Sequence, residues 1–330
     1  MSRQDSRPPV SGKADDEPSL PASRVELVAR AKINLFLEVG PRRADGYHSV
    51  TTVMQTVDLA DTVVLERATA TSVTFARGPG YAGPLPEPPD LVATALEVCA
   101  AELRGLPPVT AEVTKQIPMA AGLAGGSADA AAAVGGADAL AGAGTPRGRL
   151  EALCRRLGSD VAFCLRGGTA LARGRGDQLS PMACRHRIWW VLGISGFPLP
   201  TVDVYRRFDE LGGPGGHPVP GAAPGGHPAR PNRLADALAA GHPKAIAPLL
   251  RNDLQLPAFD LAQSLPGMAA ALEKAGALRA ILTGSGPTIA GICRDEAHAE
   301  EVAARAEGEF PRVELVASTP LGAEVVRREP

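Results

Sequence analysis

The segment PMAAGLAGGSADAAA, residues 118–132, constrains the fold more than any other part of this sequence. It holds three glycines, Gly122, Gly125 and Gly126, and runs directly into alanines. Glycine lets the backbone take positive φ values and approach a ligand closely. A helix that begins near Ser127 would point its free N–H groups and the positive end of its dipole at a phosphate. The segment therefore predicts a phosphate-binding loop that opens a helix, although a Gly/Ala run that only lets two helices pack tightly would look similar.

The common nucleotide-binding motifs do not occur in this loop. The GxxxxGK[ST] pattern of P-loop NTPases is missing, because no Gly-Lys pair follows Gly122 at the required spacing. No GxGxxG follows a predicted strand, which disfavours a dinucleotide-binding fold. The sequence therefore predicts a different class of phosphate site.

Length and charge narrow the classes of protein further. A chain of 330 residues favours two domains, and a net charge of −2 with a pI of about 6.3 disfavours a nucleic-acid partner. Residues 1–23 are charged and proline-rich without an apolar run, which predicts a disordered tail rather than a secretory signal. No window approaches the roughly 20 apolar residues of a membrane-spanning helix. We therefore expect a cytoplasmic protein with no membrane partner, whose five irregularly spaced cysteines are reduced and mostly buried.

Hydrophobic periodicity predicts an N-terminal domain over 24–183. Residues 25–40 alternate with period two, which places Lys32 and Asn34 on the same face of a strand. Further elements follow from the same patterns: strands at 50–59, 62–67 and 109–117, a helix at 90–105 capped by Asp90, the alanine-rich helix from about Ser127, and a helix at 147–158.

A second set of elements predicts a C-terminal domain over 184–325. It begins with a strand at 187–195 and ends in a strand, turn, strand, helix and strand from residue 280 onward. Glycine and proline interrupt regular structure at 212–231, which predicts a mobile surface insertion. Its two GGHP repeats carry His217 and His227, but a flexible loop with no nearby cysteine or acid does not predict a metal site.

Two further segments carry candidate chemistry. In GSDVAFCL, Asp160 precedes an apolar run and would act either as a helix N-cap or, if it lies near Lys32, as a general base for a hydroxyl nucleophile. LTGSGPTIAG, residues 282–291, is a second glycine turn. Alone it indicates a hairpin or bulge; beside the first loop it could close over the same phosphates.

Three motifs together resemble the GHMP kinase superfamily: AKINLFL at 31–37, the glycine loop, and TGSGPT at 283–288. RRADGYHSV at 42–50, LGSDVAFCLRGG at 157–168 and RNDL at 251–254 resemble the branch of that superfamily that phosphorylates a cytidine diphosphate methylerythritol in the non-mevalonate route to isoprenoids.

This resemblance spans residues 25 to about 320 and implies an α+β fold with two domains. An N-terminal mixed-sheet nucleotide-binding domain would meet a C-terminal ferredoxin-like domain, with the active site in the cleft between them. ATP and Mg²⁺ would be the cofactors, and the sequence points to no residue as a protein ligand to the metal. The partners would be small molecules, and the chain would be a monomer or a weak homodimer.

The resemblance also implies roles for individual residues. Asp160 would accept the proton of the tertiary 2-hydroxyl of the substrate. Lys32 would hold that hydroxyl and the base in register, and Asn34 would complete the contact. Tyr47 and Tyr205 would enclose the cytosine, to which His48 would hydrogen-bond.

The remaining implied residues form the two glycine segments. Thr283, Gly284, Ser285 and Gly286 would shape the far wall of the substrate site. The ATP-binding residues would be Pro118, Met119, Ala120, Ala121, Gly122, Leu123, Ala124, Gly125, Gly126, Ser127 and Ala128.

Three alternatives stay open from the sequence. A sister kinase of the same superfamily would act on homoserine, mevalonate or a sugar. A non-catalytic nucleotide-binding protein would keep the fold without the reaction. An unrelated α/β protein would use the Gly/Ala segment only to pack its helix.

Overall fold

The computed structural model describes residues 22–214 and 231–330. Some predictions fall wholly or mainly outside these residues: the tail at 1–23, the insertion at 212–231, and His217 and His227. Within the described residues, no helix is long and apolar enough to cross a membrane.

The N-terminal part forms a large mixed sheet covered by helices. Its elements, in chain order, are β1 (Arg24–Arg42), β2 (His48–Arg67), β3 (Ser72–Arg77), α1 (Leu91–Glu102), β4 (Val109–Lys115), α2 (Gly125–Ala141), α3 (Arg147–Leu157), α4 (Ser159–Arg166), β5 (Thr169–Arg173) and β6 (Gln178–Pro181). β1, β2 and β4 pair antiparallel, while β3 pairs parallel with β4.

The long β1–β2 hairpin carries the candidate lysine. The strands predicted at 50–59 and 62–67 are one continuous strand, since neither glycine nor proline interrupts 60–61 and their pairing with β1 continues there. The register shifts between Arg30 and Lys32 and again between Asn34 and Phe36. Bulges of this kind redirect side chains, and these two flank the segment that carries Lys32 and Asn34.

Helix α2 packs closely on this hairpin. It begins at Gly125, two residues before the predicted start. A Cβ at Gly136 would lie 2.6 Å from Leu65 Cδ1 and 2.8 Å from Leu27 Cδ1, so glycine is needed at this position. A Cβ at Gly135, one residue earlier, would meet nothing closer than 3.7 Å. The missing side chain at Gly136 therefore lets the helix lie close against Leu27 and Leu65 of the sheet.

The C-terminal part adds a second sheet. Its elements are β7 (Trp189–Ile194), α5 (Thr201–Glu210), α6 (Pro231–Ala240), α7 (Pro243–Ile246), a 3₁₀ turn (Ala247–Leu249), β8 (Arg251–Asn252), α8 (Gln255–Leu261), α9 (Leu265–Ala275), β9 (Arg279–Leu282), β10 (Ile289–Ile292), α10 (Glu296–Ala306), β11 (Arg312–Ala317) and β12 (Glu324–Glu329). The antiparallel order is β11-β7-β10-β9, and helices accompany the sheet, so the α+β class is confirmed.

Two C-terminal strands return to the first sheet. β12 pairs antiparallel with the start of β1, and the short β8 pairs parallel with its centre. Neither connection was predictable from the sequence, because pairing between segments this far apart in the chain leaves no local pattern. The predicted boundary between 24–183 and 184–325 stays a prediction. The cysteines are free, as expected, and four of the five are buried.

Neighbouring glycines of α2 give a matched test of this packing. Gly135→Ala should raise the free energy of unfolding by about 0.5–1 kcal/mol, because alanine is the better helix former and its methyl has space. Gly136→Ala should lower it by about 1–3 kcal/mol, since Leu27 and Leu65 are buried and must shift. Urea unfolding of both variants measures the difference. Equal stabilisation by the two alanines would contradict the packing argument.

Candidate active site

A cavity of about 1240 Å³ lies between the two sheets. It is bounded by β1, the loop that precedes α2, the start of α4, α5, and the turn between β9 and β10. Most of the predicted site residues line it: Lys32, Asn34, Tyr47, His48, Pro118, Met119, Ala120, Ala121, Gly122, Ala124, Gly125, Gly126, Ser127, Asp160, Tyr205, Gly284 and Ser285.

Four predicted binding residues are not part of the cavity wall. Leu123 and Ala128 are fully buried in the core beneath the loop. Thr283 is also buried, and Gly286 packs on Leu282. The alternation of inward and outward residues in such a tight loop is set by its individual φ and ψ angles, which the sequence pattern does not reveal. These four residues support the wall from behind.

The glycine loop differs in detail from its prediction. Of its three glycines only Gly122 has a positive φ, and Ala120 and Ala124 adopt left-handed conformations as well. Gly125 and Gly126 are helical, and a Cβ at Gly126 would meet nothing within 4 Å. The first turn of α2 therefore faces open space in the cavity, where its free N–H groups can bind an anion.

Lys32 and Asp160 meet beside this loop. Lys32 Nζ lies 3.6 Å from Asp160 Oδ2, and it donates hydrogen bonds to Asn34 Oδ1 at 2.7 Å and to Gly122 O at 3.2 Å. The lysine side chain is only 6% exposed, whereas that of Asp160 is 34% exposed. Asp160 lies in the first turn of α4, where Gly158 is the N-cap residue, so it is not the helix cap that the alternative interpretation required.

A short polar chain fixes Asn34. Its side-chain amide donates to Thr52 Oγ1 at 2.8 Å, and the threonine hydroxyl donates to Phe36 O at 2.7 Å. All of these groups are buried. Thr52 was not among the predicted residues, because a threonine in an alternating strand carries no distinctive signal.

The turn between β9 and β10 closes against the glycine loop. A Cβ at Gly122 would overlap Thr283 O, and a Cβ at Gly284 would lie 2.9 Å from Gly122 O and 3.4 Å from Lys32 Nζ. Both glycines have positive φ. Glycine is thus required on both sides of the contact, which explains why the two glycine segments occur together in one chain.

Aromatic rings and arginines form the other end of the cavity. The rings of His48 and Tyr205 stack with centroids 5.3 Å apart, and His48 Nε2 lies 2.9 Å from Asp209 Oδ1. Burial raises the pKa of Tyr205, so its phenol stays neutral. Tyr47 is 61% exposed, and the guanidinium of Arg175 lies 5.5 Å from its ring centroid. Asp209 and Arg175 were not predicted as site residues, since lone charged residues in a helix and a turn usually indicate solvent-facing positions.

A buried charge cluster lies under the glycine loop. Lys115 Nζ forms ion pairs with Asp61 and with Asp129 Oδ2, the latter at 2.5 Å. Asp61 Oδ1 also accepts hydrogen bonds from the backbone N–H groups of Gln116 and Ile117. Burial raises the pKa of Asp129 to about 8, and its Oδ1 has no hydrogen-bond partner. Two carboxylates thus share one ammonium at the start of α2.

Among the described residues, no three His, Cys, Asp or Glu side chains are grouped so that they could hold a metal ion. Mg²⁺ in phosphoryl-transfer sites is usually held by one or two carboxylates together with water and substrate phosphates.

Comparisons with known proteins agree with this geometry. The family model for the GHMP kinases N terminal domain matches residues 90–168, and the model for the GHMP kinases C terminal matches residues 234–312. The fold and the cleft are those of the GHMP kinase class.

Individual relatives of this chain define its family within that class. The 4-diphosphocytidyl-2-C-methyl-D-erythritol kinase of Mycobacterium tuberculosis is 40% identical over 93% of this chain and 94% of its own length. The enzyme of the same name from Cutibacterium acnes is 41% identical over 88% of this chain and 92% of its own length. This chain belongs to the 4-diphosphocytidyl-2-C-methyl-D-erythritol kinase family.

Solved structures support the same grouping. A crystal structure of 4-(cytidine 5'-diphospho)-2C-methyl-D-erythritol kinase is 31% identical, with a TM-score of 0.68 over 89% of this chain and 98% of that one. The homoserine kinase of Cytophaga hutchinsonii shares the fold, with a TM-score of 0.65 at 17% identity over 96% of this chain and 100% of that one.

The buried cluster gives a pH-dependent prediction. Folding raises the pKa of Asp129 from 3.8 to about 8, so in this interval unfolding releases a proton. The free energy of unfolding should therefore fall as pH rises from about 5 to 8, with a contribution from this group of up to about 1.4 kcal/mol per pH unit. Asp129→Asn removes the titrating group and should flatten that slope. Urea unfolding at several pH values measures both proteins, and parallel slopes would contradict the assignment.

Proposed function

We propose that this chain transfers the γ-phosphoryl group of ATP to the 2-hydroxyl of 4-diphosphocytidyl-2-C-methyl-D-erythritol, giving the 2-phosphate and ADP. The observation that carries the proposal is the convergence of Lys32 and Asp160 beside the open N-terminal turn of α2. A base, a cation and an anion site within one cleft are what transfer of a phosphoryl group to an alcohol requires.

In this mechanism Asp160 accepts the proton of the substrate hydroxyl while its oxygen attacks the γ-phosphorus. The bond from that phosphorus to the β,γ-bridging oxygen breaks, and ADP leaves. Lys32 is held by Asn34 Oδ1 and Gly122 O, so its ammonium is already in place for the developing negative charge. Catalysis then comes mainly from alignment and charge stabilisation rather than from covalent chemistry.

The phosphates of ATP would lie against the loop before α2 and its first helical turn. Gly125, Gly126 and Ser127 line the cavity there. A Cβ at Gly126 would point into open space, so the glycine leaves the backbone N–H groups accessible to a phosphate. Mg²⁺ would enter this site with the nucleotide and supply charge neutralisation. Removal of Mg²⁺ by a chelator should abolish transfer.

The cytidine end of the substrate would lie at the aromatic end of the cavity. His48 and Tyr205 offer a flat, buried surface for a base, and Tyr47 can cover it from the solvent side. Stacking of this kind is worth about 1–3 kcal/mol per base. The turn 174–177 lies between this end of the cavity and Asp160. Its Gly176 is close to both sides, since an added Cβ would lie 3.7 Å from Val50 Cγ2 and 3.6 Å from Ser159 Cβ.

Arg42 and Arg175 are placed to bind the diphosphate of the substrate. Both line the cavity, and within the described residues neither guanidinium has a carboxylate within 4 Å. Arg42 is paired with His48 across the β1–β2 hairpin, while Arg175 stacks on Tyr47. Two uncompensated cations beside the base site match a diphosphate that joins the cytidine to the reacting alcohol.

Replacement of the two central residues tests the reaction. Asp160→Ala and Lys32→Ala should each keep the fold and lower kcat by about 10²- to 10⁴-fold, because they remove the base and its charge partner. Transfer from radiolabelled ATP is the measurement, with thermal unfolding as the check on folding. The wild-type protein is assayed in parallel with homoserine, mevalonate and galactose. Preference for any of these over the cytidine diphosphate alcohol would contradict the substrate assignment, as would near-normal turnover in either variant.

The diphosphate contact has its own test. Arg175→Gln should weaken competitive inhibition by CDP about 5- to 50-fold, the range of one charge-assisted hydrogen bond, and leave inhibition by cytidine nearly unchanged. Arg173→Gln is the matched control, since Arg173 is in the same hairpin and outside the cavity lining. An equal loss for cytidine and CDP would show that Arg175 supports Tyr47 instead.

A further inference from the structure

The RNDL segment joins the two sheets beside the reaction centre. β8 pairs parallel with β1, with Asn252 opposite Leu37. The backbone N–H of Asp253 donates to Leu37 O at 2.9 Å, and Asp253 Oδ2 accepts from the N–H of Val39 at 3.0 Å. The segment is therefore fixed to the strand that carries Lys32.

From this fixed position Asn252 reaches the turn between β9 and β10. Its Nδ2 donates to both Leu282 O and Gly284 O, each at 2.7 Å. Its Oδ1 accepts from the N–H of Leu254 at 2.9 Å. The residue is only 2% exposed, and both side-chain N–H donors are used. No other type of side chain of this size offers two N–H donors and a carbonyl acceptor at once.

The same turn contacts the catalytic pair from its other side. Asn34 N–H donates to Thr283 Oγ1 at 2.9 Å. Gly284 lies so close to Gly122 and Lys32 that an added Cβ would be 2.9 Å from Gly122 O and 3.4 Å from Lys32 Nζ. Gly122 O in turn accepts a hydrogen bond from Lys32. The turn therefore lies between Asn252 and the ammonium group, and a shift of Gly284 would move the groups that hold that ammonium.

We propose that Asn252 is a positioning residue: its carboxamide holds the Thr283–Gly286 turn where Lys32 and the phosphate-binding loop require it. The inference rests on the proposed function, because it assigns Asn252 to the same reaction. Without its two donors, two buried carbonyl groups lack partners and the turn moves to satisfy them. A displacement of about 1 Å at a reacting centre can cost about 10²-fold in rate.

Gln255 provides the matched control. It is buried in the next helix, and its Oε1 accepts from the N–H of Leu282 at 2.9 Å. It thus holds the same strand end as Asn252 but not the carbonyl of Gly284. A residue that only stabilises the C-terminal sheet should behave like Gln255.

The test compares Asn252→Asp, Asn252→Ala and Gln255→Ala in the full chain. Asn252→Asp keeps the volume and replaces both donors by a carboxylate oxygen that repels the two carbonyls. Both Asn252 variants should lower kcat about 10- to 100-fold, with little change in KM for the cytidine diphosphate alcohol, because the base site lies at the other end of the cavity. Gln255→Ala should lower the thermal midpoint of unfolding about as much as the Asn252 variants do, but keep kcat near the wild-type value.

Two outcomes would overturn the proposal. One is a kcat near wild type in a folded Asn252 variant; the other is an equal loss of kcat in Gln255→Ala. If neither Asn252 variant folds, hydrogen exchange of the wild-type protein decides. Addition of a non-hydrolysable ATP analogue should slow exchange at Gly286 and at Leu254 together, and slowing at the turn alone would overturn the proposal. Failure of the proposed function looks different, since the wild-type protein would then not phosphorylate the alcohol at all.

Discussion

The contact between Gly122 and Gly284 is the constraint on which the cleft depends. Two loops from different sheets meet there backbone to backbone, each with a positive φ that residues with a Cβ rarely adopt. The contact leaves Gly122 O free to hold Lys32 Nζ and places α2 with its first turn open to the cavity. Any side chain at either position would separate the loops, and with them the anion site and the ammonium group.

The residues that define the site were predictable because they obey local rules. Period-two alternation placed Lys32 and Asn34 on one face of β1, and Asp90 caps α1 as its position suggested. The long-range features were not predictable. The return of β12 to β1 and the two-residue β8 arise from pairings between distant segments, and the positive φ of Ala120 and Ala124 is imposed by the loop rather than by their own preference. Likewise, only the structure reveals the two aspartates around the buried Lys115.

The charged groups of the cleft lie at two depths, in a buried cluster and at the cavity surface. The cluster of Asp61, Lys115 and Asp129 would carry a net negative charge directly beneath an anion site if both acids were ionised. Burial raises the pKa of Asp129, so near neutral pH its proton offsets that charge. Positive charge at the cavity surface then comes from Lys32 and the arginines near Tyr47. Near neutral pH the helix terminus and these cations therefore attract the phosphates, and the buried cluster has no net negative charge to oppose them.

The same geometry explains why a lysine stands at position 32 in a chain that otherwise prefers arginine. The ammonium of Lys32 reaches Asn34 Oδ1, Gly122 O and the carboxylate of Asp160 from a side chain that is 6% exposed. An ammonium offers three donors from a single nitrogen, which matches three acceptors around one compact group. A planar guanidinium needs more room and presents its donors in one plane. A Cβ added at Gly284 would already lie 3.4 Å from this nitrogen, so the extra volume could be gained only by opening the loop contact that forms the site.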